Sequence, residues 1–410
     1  MGRARSMYSA YLAVALVRGA NAVFIVSLAI TYSEFTAEMV GVLLASYSIT
    51  EALSGFLAGI IYEILGTKFS LMISSAMLAL IYTTMSRVSL FYELVVLNAI
   101  AGFSAAMILV SSLSAIAEET RGFGTARRVF GVGGFEASNL GGYSMGFAIA
   151  GALEVLGLLK GFYISALMAS ISALTGFLAR NVRSSASNHL RDLYVIERRA
   201  LVLIPTWLGL AMILGVGFLS PKILRELNLG VSVPLVGNIS SSGVDGAIES
   251  IGSNPSIGLL LIVILIGVAI GIILGSIITA KIGKERALVI GSISLSASLV
   301  MIGLTYENLV LFLPIVLAIA TPALTIPPTL LALFADYTDE SRRRGPSAGV
   351  YVTVLGIGIG LGEIIGGKIF DALGLEVLAF TLAAIFIVLS IPTSIYVLRE
   401  TGSKARYING

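Results

Sequence analysis

Residues 59–71 read GIIYEILGTKFSL, and residues 276–288 read SIITAKIGKERAL. Gly66 and Gly283 stand 217 positions apart, each is followed closely by a lysine, Lys68 and Lys284, and each lies between two long apolar runs. A short basic turn met twice at one spacing is the sign of a duplicated unit. The echo continues along the chain, with Ala117-Glu118 recurring as Ala335-Asp336, Arg127-Arg128 as Arg343-Arg344, and Leu140-Gly141 as Leu355-Gly356, at separations falling from 218 to 215.

The runs that flank these turns set the class. Of 410 residues 57% are apolar and 12% charged, against about 25% charged in an ordinary soluble protein. This is the composition of a polytopic membrane protein. Apolar stretches of about 20 residues, the length that crosses about 30 Å of hydrocarbon, predict twelve spans: 8–31, 39–62, 69–86, 92–117, 128–152, 161–180, 200–222, 256–280, 287–305, 308–333, 346–370 and 376–398. Span 1 starts on basic residues, yet it is too long for a signal-peptide core and lacks a small-residue cleavage site, so it is expected to be permanent.

With the N-terminus in the cytoplasm, 20 of the 26 basic residues fall in cytoplasmic loops and 5 outside, Arg87, Lys160, Lys222, Arg225 and Lys368; Arg18 lies in the membrane. That asymmetry predicts both termini inside, a plasma-membrane protein, and basic loops that need no nucleic-acid partner. The chain has no cysteine and one histidine, His189, so thiol chemistry is excluded and a histidine-based metal site or proton relay is not expected. Neither a Walker-type loop nor a dinucleotide fingerprint is present, which leaves no expected cofactor, no ATP hydrolysis and no enzymatic activity. The polar stretch 181–199, NVRSSASNHLRDLYVIERR, divides an N-terminal six-helix bundle, 1–180, from a C-terminal one, 200–410. It reads as a cytoplasmic linker carrying a short interfacial helix over 190–199. Six spans is an even number, so the two halves share one orientation, a parallel repeat about an axis along the membrane normal.

On these residues the chain resembles the major facilitator superfamily of secondary transporters along essentially its whole length. The family pattern after span 2 is a glycine, an acid four residues on, then Gly-Arg-Lys; here it reads Gly59, Glu63, Gly66, Thr67 and Lys68, with Ile64 and Thr67 where basic residues are usual. The second copy keeps Lys281, Gly283 and Lys284 but has Ala280 at the acid's place. Arg344-Gly345, Gly349, Tyr351, Gly356, Gly360, Gly366 and Gly367 around span 11 fit the pattern too. The resemblance implies a twelve-helix, all-α fold in which spans 1, 4, 7 and 10 line a central cavity and spans 2, 5, 8 and 11 flank it. It also implies gating roles for Glu63, Gly66 and Lys68. Drug exporters of the superfamily often carry Gly-Pro then Gly-Gly in span 5; Gly134 to Gly142 lacks the proline, which counts against an antiporter.

The costliest residues mark the candidate site. A charge at the bilayer centre costs about 2.5 to 3.5 kcal/mol on insertion scales unless it is paired or wet. Arg18 lies about 16 Å along the helix from the start of span 1, too deep to reach the surface. Asn21 follows one turn later. Tyr47, Glu51 and Ser54 share a face of span 2, as Glu136, Asn139 and Tyr143 do on span 5, and Asn98 sits in span 4. Arg18, Asn21, Glu51, Asn98, Glu136 and Asn139 are the expected substrate and proton site. An ion pair of Arg18 with Glu51 or Glu136 would fix packing and leave the other acid to carry a proton; alternatively Arg18 is kept for an anionic substrate. In the second half Glu363 is the clearly intramembrane acid. Trp207, the one tryptophan, sits near the inner end of span 7, where an interfacial anchor is expected, and the prolines of span 10, Pro314, Pro322, Pro327 and Pro328, loosen a helix and free backbone carbonyls, as a helix that lines a cavity or bends during gating tolerates.

The expected function is secondary active transport of a small solute by alternating access, coupled to protons, by a monomer in the lipid bilayer. Efflux of amphipathic compounds is one expectation. The alternatives are import of an organic anion held by Arg18, or a non-transporting receptor or scaffold on the same fold.

Overall fold

The structure, a computed structural model, describes residues 2–119, 125–155, 161–181, 198–227, 274–275, 277–339 and 344–409. Among these residues the regular structure is helical, with no strand. Span 1 is the helix Gly2–Thr31, span 4 Phe91–Glu119, span 5 Thr125–Val155, span 6 Gly161–Leu178, span 7 Ile204–Glu226 and span 9 Lys284–Thr305. Spans 2 and 3 form one helical run, Ala37–Met85, interrupted only at Gly66; spans 11 and 12 form another, Arg344–Asn409, interrupted at Gly374. Eleven of the twelve expected spans are thus described helices, and the all-α multi-pass fold read from the sequence is the one found. Span 8 lies outside the described residues except for 274–275 and 277–280, as do most of the linker, His189 and the segment 228–273.

Gly66 (φ 77°, ψ 171°) and Gly283 (φ 89°, ψ 151°) occupy a backbone region that side-chain-bearing residues avoid. That conformation stops one helix and starts the next without a loop. The chain reverses at Gly66. On one side of it the Lys68 N–H donates to Asn181 Oδ1 at the end of span 6 (3.3 Å), while at the far end of span 3 the Tyr32 hydroxyl donates to the Val88 carbonyl (2.5 Å). Span 2 begins on Thr36, whose hydroxyl accepts the Met39 N–H (3.2 Å), a side-chain N-cap.

The prolines of span 10 act as expected. Its helix is split into Leu309–Ala320 and Ile326–Asp339 by a 3-10 turn, Thr321–Thr325, that contains Pro322. Thr325 takes up the loosened end by donating to the Pro322 carbonyl (2.7 Å) and, across to span 9, to the Ala287 carbonyl (3.0 Å).

The described residues fall into two compact units, one holding 2–181 with 218–227 and the other 198–217 with 274–409. In the first, span 1 is buried almost all round, packed chiefly against spans 5 and 6 with span 4 beside it. Leu53, Leu57, Ile60 and Ile64 of span 2, spaced at helical intervals, are exposed and form a stripe suited to lipid. In the second, Trp207 is buried among Leu203, Leu288, Ile326, Leu330 and Phe386. It is a core residue and no interfacial anchor: its place near the end of the span does not set which way the indole points, and the apolar neighbours do.

The two units repeat one packing device. A Cβ added to Gly142 or Gly146 of span 5 would meet the backbone of Ala15 or Gly19 of span 1, and one added to Gly358 or Gly362 of span 11 would meet Ala211 or Met212 of span 7. The glycine pairs stand 216 positions apart, within the register of the sequence repeat. Small residues at four-residue spacing let helix backbones approach where lipid supplies no hydrophobic drive.

Candidate functional site

The close crossing of spans 1 and 5 decides what Arg18 can touch. With Gly142 against Ala15 and against the Arg18 Cβ, the guanidinium leaves span 1 within reach of span 5 and span 2. Its Nη1 and Nη2 donate to Glu51 Oε2 (2.8 Å) and Oε1 (2.7 Å), a two-pronged pair between planar groups. Nε donates to Asn139 Oδ1 (2.6 Å), and Nη1 also lies 3.2 Å from the Tyr143 hydroxyl and 3.4 Å from that of Tyr47. Asn21 Nδ2 donates to the same Tyr143 hydroxyl (3.4 Å).

Arg18 is buried, with a side chain 9% exposed, whereas the Glu51 side chain is 14% exposed. The acid is the more accessible partner. The guanidinium lies 5.3 Å from the Tyr143 ring centre, and that ring packs on Phe218 with centroids 5.2 Å apart. A cation at this depth is neutralised by Glu51 and ringed by neutral oxygen acceptors, which makes its burial tolerable.

Of the six residues expected at the site, four come together: Arg18, Asn21, Glu51 and Asn139. Asn98 is fully buried and donates through Nδ2 to the Leu43 carbonyl (2.7 Å), one helical turn before Tyr47, so it ties span 4 to span 2 behind the cluster. Glu136 lies on span 5, but its side chain is outside the described ones. Of the gating residues, Gly66 makes the turn, the Lys68 ammonium lies 5.7 Å from the centre of the Phe177 ring, and the Glu63 side chain is exposed. In the second unit Lys284 pairs with Asp336 (2.6 Å), and Glu363 is buried.

Two features had no counterpart in the sequence reading. Phe218 backs Tyr143, which spacing alone does not reveal because the two are far apart in the chain. The C-terminal end of span 7 also meets the end of span 1. Arg225 donates to the Ala29 (2.8 Å) and Ile30 (3.0 Å) carbonyls, while Lys222, paired with Glu226 (2.9 Å), donates to the Ser33 carbonyl (3.0 Å). Cations at carbonyls left bare by a helix C-terminus are favourably placed against its dipole.

Residues 236–408 match the family model of the Major Facilitator Superfamily. No curated protein matches the chain in sequence. Among solved structures, the nucleoside transporter NupG is similar over 95% of this chain and 98% of its own, at 13% identity and a TM-score of 0.71. A bacterial homolog of the human lysosomal transporter Spinster, inward-facing and unoccupied, is similar over 96% of each chain at 13% identity and a TM-score of 0.68. A POT family transporter in complex with 5-aminolevulinic acid is similar over 96% of each chain at 12% identity and a TM-score of 0.70. At such identities the likeness is one of fold, and the fold is the one that the turns at Gly66 and Gly283 imply.

Proposed function

We infer that this chain, a multi-pass membrane protein of the major facilitator fold, is a proton-coupled secondary transporter that moves a small solute by alternating access. The observation that carries the reading is the two-pronged pair of Arg18 and Glu51, held inside the apolar bundle with Asn21, Asn139, Tyr47 and Tyr143 around it. The hydroxyls and amides make the buried pair tolerable, and the Glu51 carboxylate, 14% exposed, is the partner that stays open to a proton. Glu51 is the proton carrier: when it takes a proton the pair loses its charge attraction and Arg18 is released toward a ligand. Glu136, on the same helix as Asn139, is the second candidate for that duty.

Asn98 serves the site indirectly, by fixing span 2 at Leu43 so that Tyr47 and Glu51 face Arg18. Glu63, Gly66 and Lys68 belong to the cytoplasmic gate, where Gly66 is the joint between two spans and Lys68 is its charge. The protein works as a monomer in the plasma membrane with both termini in the cytoplasm, in keeping with the basic residues of its inner loops.

Reconstituted protein under an imposed pH gradient tests the coupling. Solute-dependent proton movement is expected in the wild type and is expected to vanish in Glu51→Gln. Proton-coupled flux that survives Glu51→Gln and Glu136→Gln together would sink this reading.

A further inference from the structure

We propose that the cargo is a small monocarboxylate that takes Glu51's place on Arg18, so that one anion and one proton cross together with no net charge. This rests on the proton-coupled reading above and names the cargo and charge balance of the same site.

The Glu51 carboxylate meets two nitrogens of the Arg18 fork at 2.8 and 2.7 Å, so the fork already holds a carboxylate in its best geometry. A cargo with the same group fits without rebuilding the site, and Asn139, Tyr47 and Tyr143 keep the guanidinium in place meanwhile. The Tyr143 ring, backed by Phe218, is a flat wall beside the fork, suited to the body of a planar or apolar acid.

With Glu51 ionised, the pair sums to zero. A cargo anion arriving on top of that would leave an unpaired negative charge in the membrane, at a cost of several kcal/mol. If Glu51 is protonated as the anion binds, Arg18 still faces one negative group and the sum remains zero. The anion therefore selects the protonated acid and the proton selects the anion, which is coupling by competition for one cation. A dianion would break the balance, because Arg18 is the one cation among the described residues of this cluster.

The groups facing Glu51 are Arg18 from span 1, Tyr47 on its own span and, through Arg18, Tyr143 and Asn139 from span 5; Tyr82 of span 3 lies in the same electrostatic neighbourhood. All but Arg18 are neutral at working pH. Glu136 stands one turn before Asn139 on span 5.

The test uses the full chain in detergent and in liposomes, with a panel of monocarboxylates from lactate to benzoate, their amides, and 4-sulfobenzoate as a dianion. Binding is read as a thermal shift at about pH 5.5 and about pH 7.5, both above the ordinary carboxylic acid range. Monocarboxylates should bind at least about tenfold more tightly at the lower pH, amides and 4-sulfobenzoate should not bind, and Glu51→Gln should bind monocarboxylates equally at both pH values. A pH dye in weakly buffered wild-type protein should report a proton taken up for each anion bound, which needs no variant. In liposomes, uptake of the tightest panel member should follow a pH gradient at zero potential and ignore a potassium-diffusion potential at zero gradient. Potential-driven uptake, amides binding as well as acids, or no binding by any monocarboxylate overturns the proposal. Proton-coupled flux of an uncharged compound would do so too while leaving the transporter reading intact.

Discussion

Gly66 and Gly283 hold nearly the same left-handed backbone, φ 77° and φ 89°, at corresponding points of the two halves. A Cβ in that region costs about 1–3 kcal/mol. Gly66→Ala and Gly283→Ala should therefore each lower stability by about that amount in chemical unfolding of the detergent-solubilised protein. Gly59→Ala, at a helical glycine with open space around it, should be neutral or gain up to about 1 kcal/mol. Equal behaviour of all three would remove the claim that the turns are glycine-specific.

Arg18 and Glu51 neutralise one another, so removing one partner strands the other. Arg18→Gln should cost up to about 3–5 kcal/mol, with somewhat less for a pair that is partly open to water. Arg18→Met combined with Glu51→Gln should recover most of that loss yet remain inactive in proton-coupled flux. Such a double variant separates the pair's part in folding from its part in transport.

Gly146 lies against the Gly19 carbonyl, and its neighbour in sequence space Gly141 faces open space. Gly146→Leu should push spans 1 and 5 apart, lose about 1–3 kcal/mol, and abolish proton-dependent ligand binding because Asn139 and Tyr143 move away from Arg18. Gly141→Ala should leave both quantities unchanged. Thermal unfolding with and without ligand checks the pair.

Trp207 reports on the second unit by itself, since the chain has no other tryptophan. Packed among Leu203, Leu288 and Phe386, it should fluoresce at short wavelength and resist acrylamide quenching. Emission typical of a headgroup-level indole would contradict its core position. Trp207→Ala should cost about 3–5 kcal/mol through the cavity it leaves.

Arg225 satisfies two carbonyls at the end of span 1. Arg225→Ala should reduce stability by about 1–2 kcal/mol, and Arg225→Lys, with one ammonium in place of a fork, should recover only part of it. Hydrogen exchange at the last turn of span 1 should rise in both.

Much of this architecture is legible in the sequence because a membrane permits few solutions. Length and apolarity give the spans, and the turn at Gly66 recurring at Gly283 gives the repeat. The site is half legible: Arg18, Asn21, Glu51 and Asn139 stand out as polar groups where none are cheap. What spacing cannot convey is which groups meet. Arg18 had two acids within plausible reach, and only the crossing at Gly142 and Gly146 brings it to the face that carries Asn139 and Tyr143. Asn98 looks like a ligand in the sequence because it is polar at depth, yet its amide serves a backbone carbonyl. Trp207 misleads in the opposite sense, since an amphipathic ring near a span's end suits the interface equally well until its neighbours are known.

The single-residue joint at Gly66 bears on how the protein is made. With no loop between spans 2 and 3, and one non-helical residue between them, the end of span 2 and the start of span 3 are held at one depth in the bilayer. The two leave the ribosome as separate apolar stretches but must settle into the lipid as one hairpin, and spans 11 and 12, joined at Gly374, face the same constraint. Lengthening either joint with a flexible insert would relax that requirement, so biogenesis of this chain is a property of two glycines as much as of its hydrophobic segments.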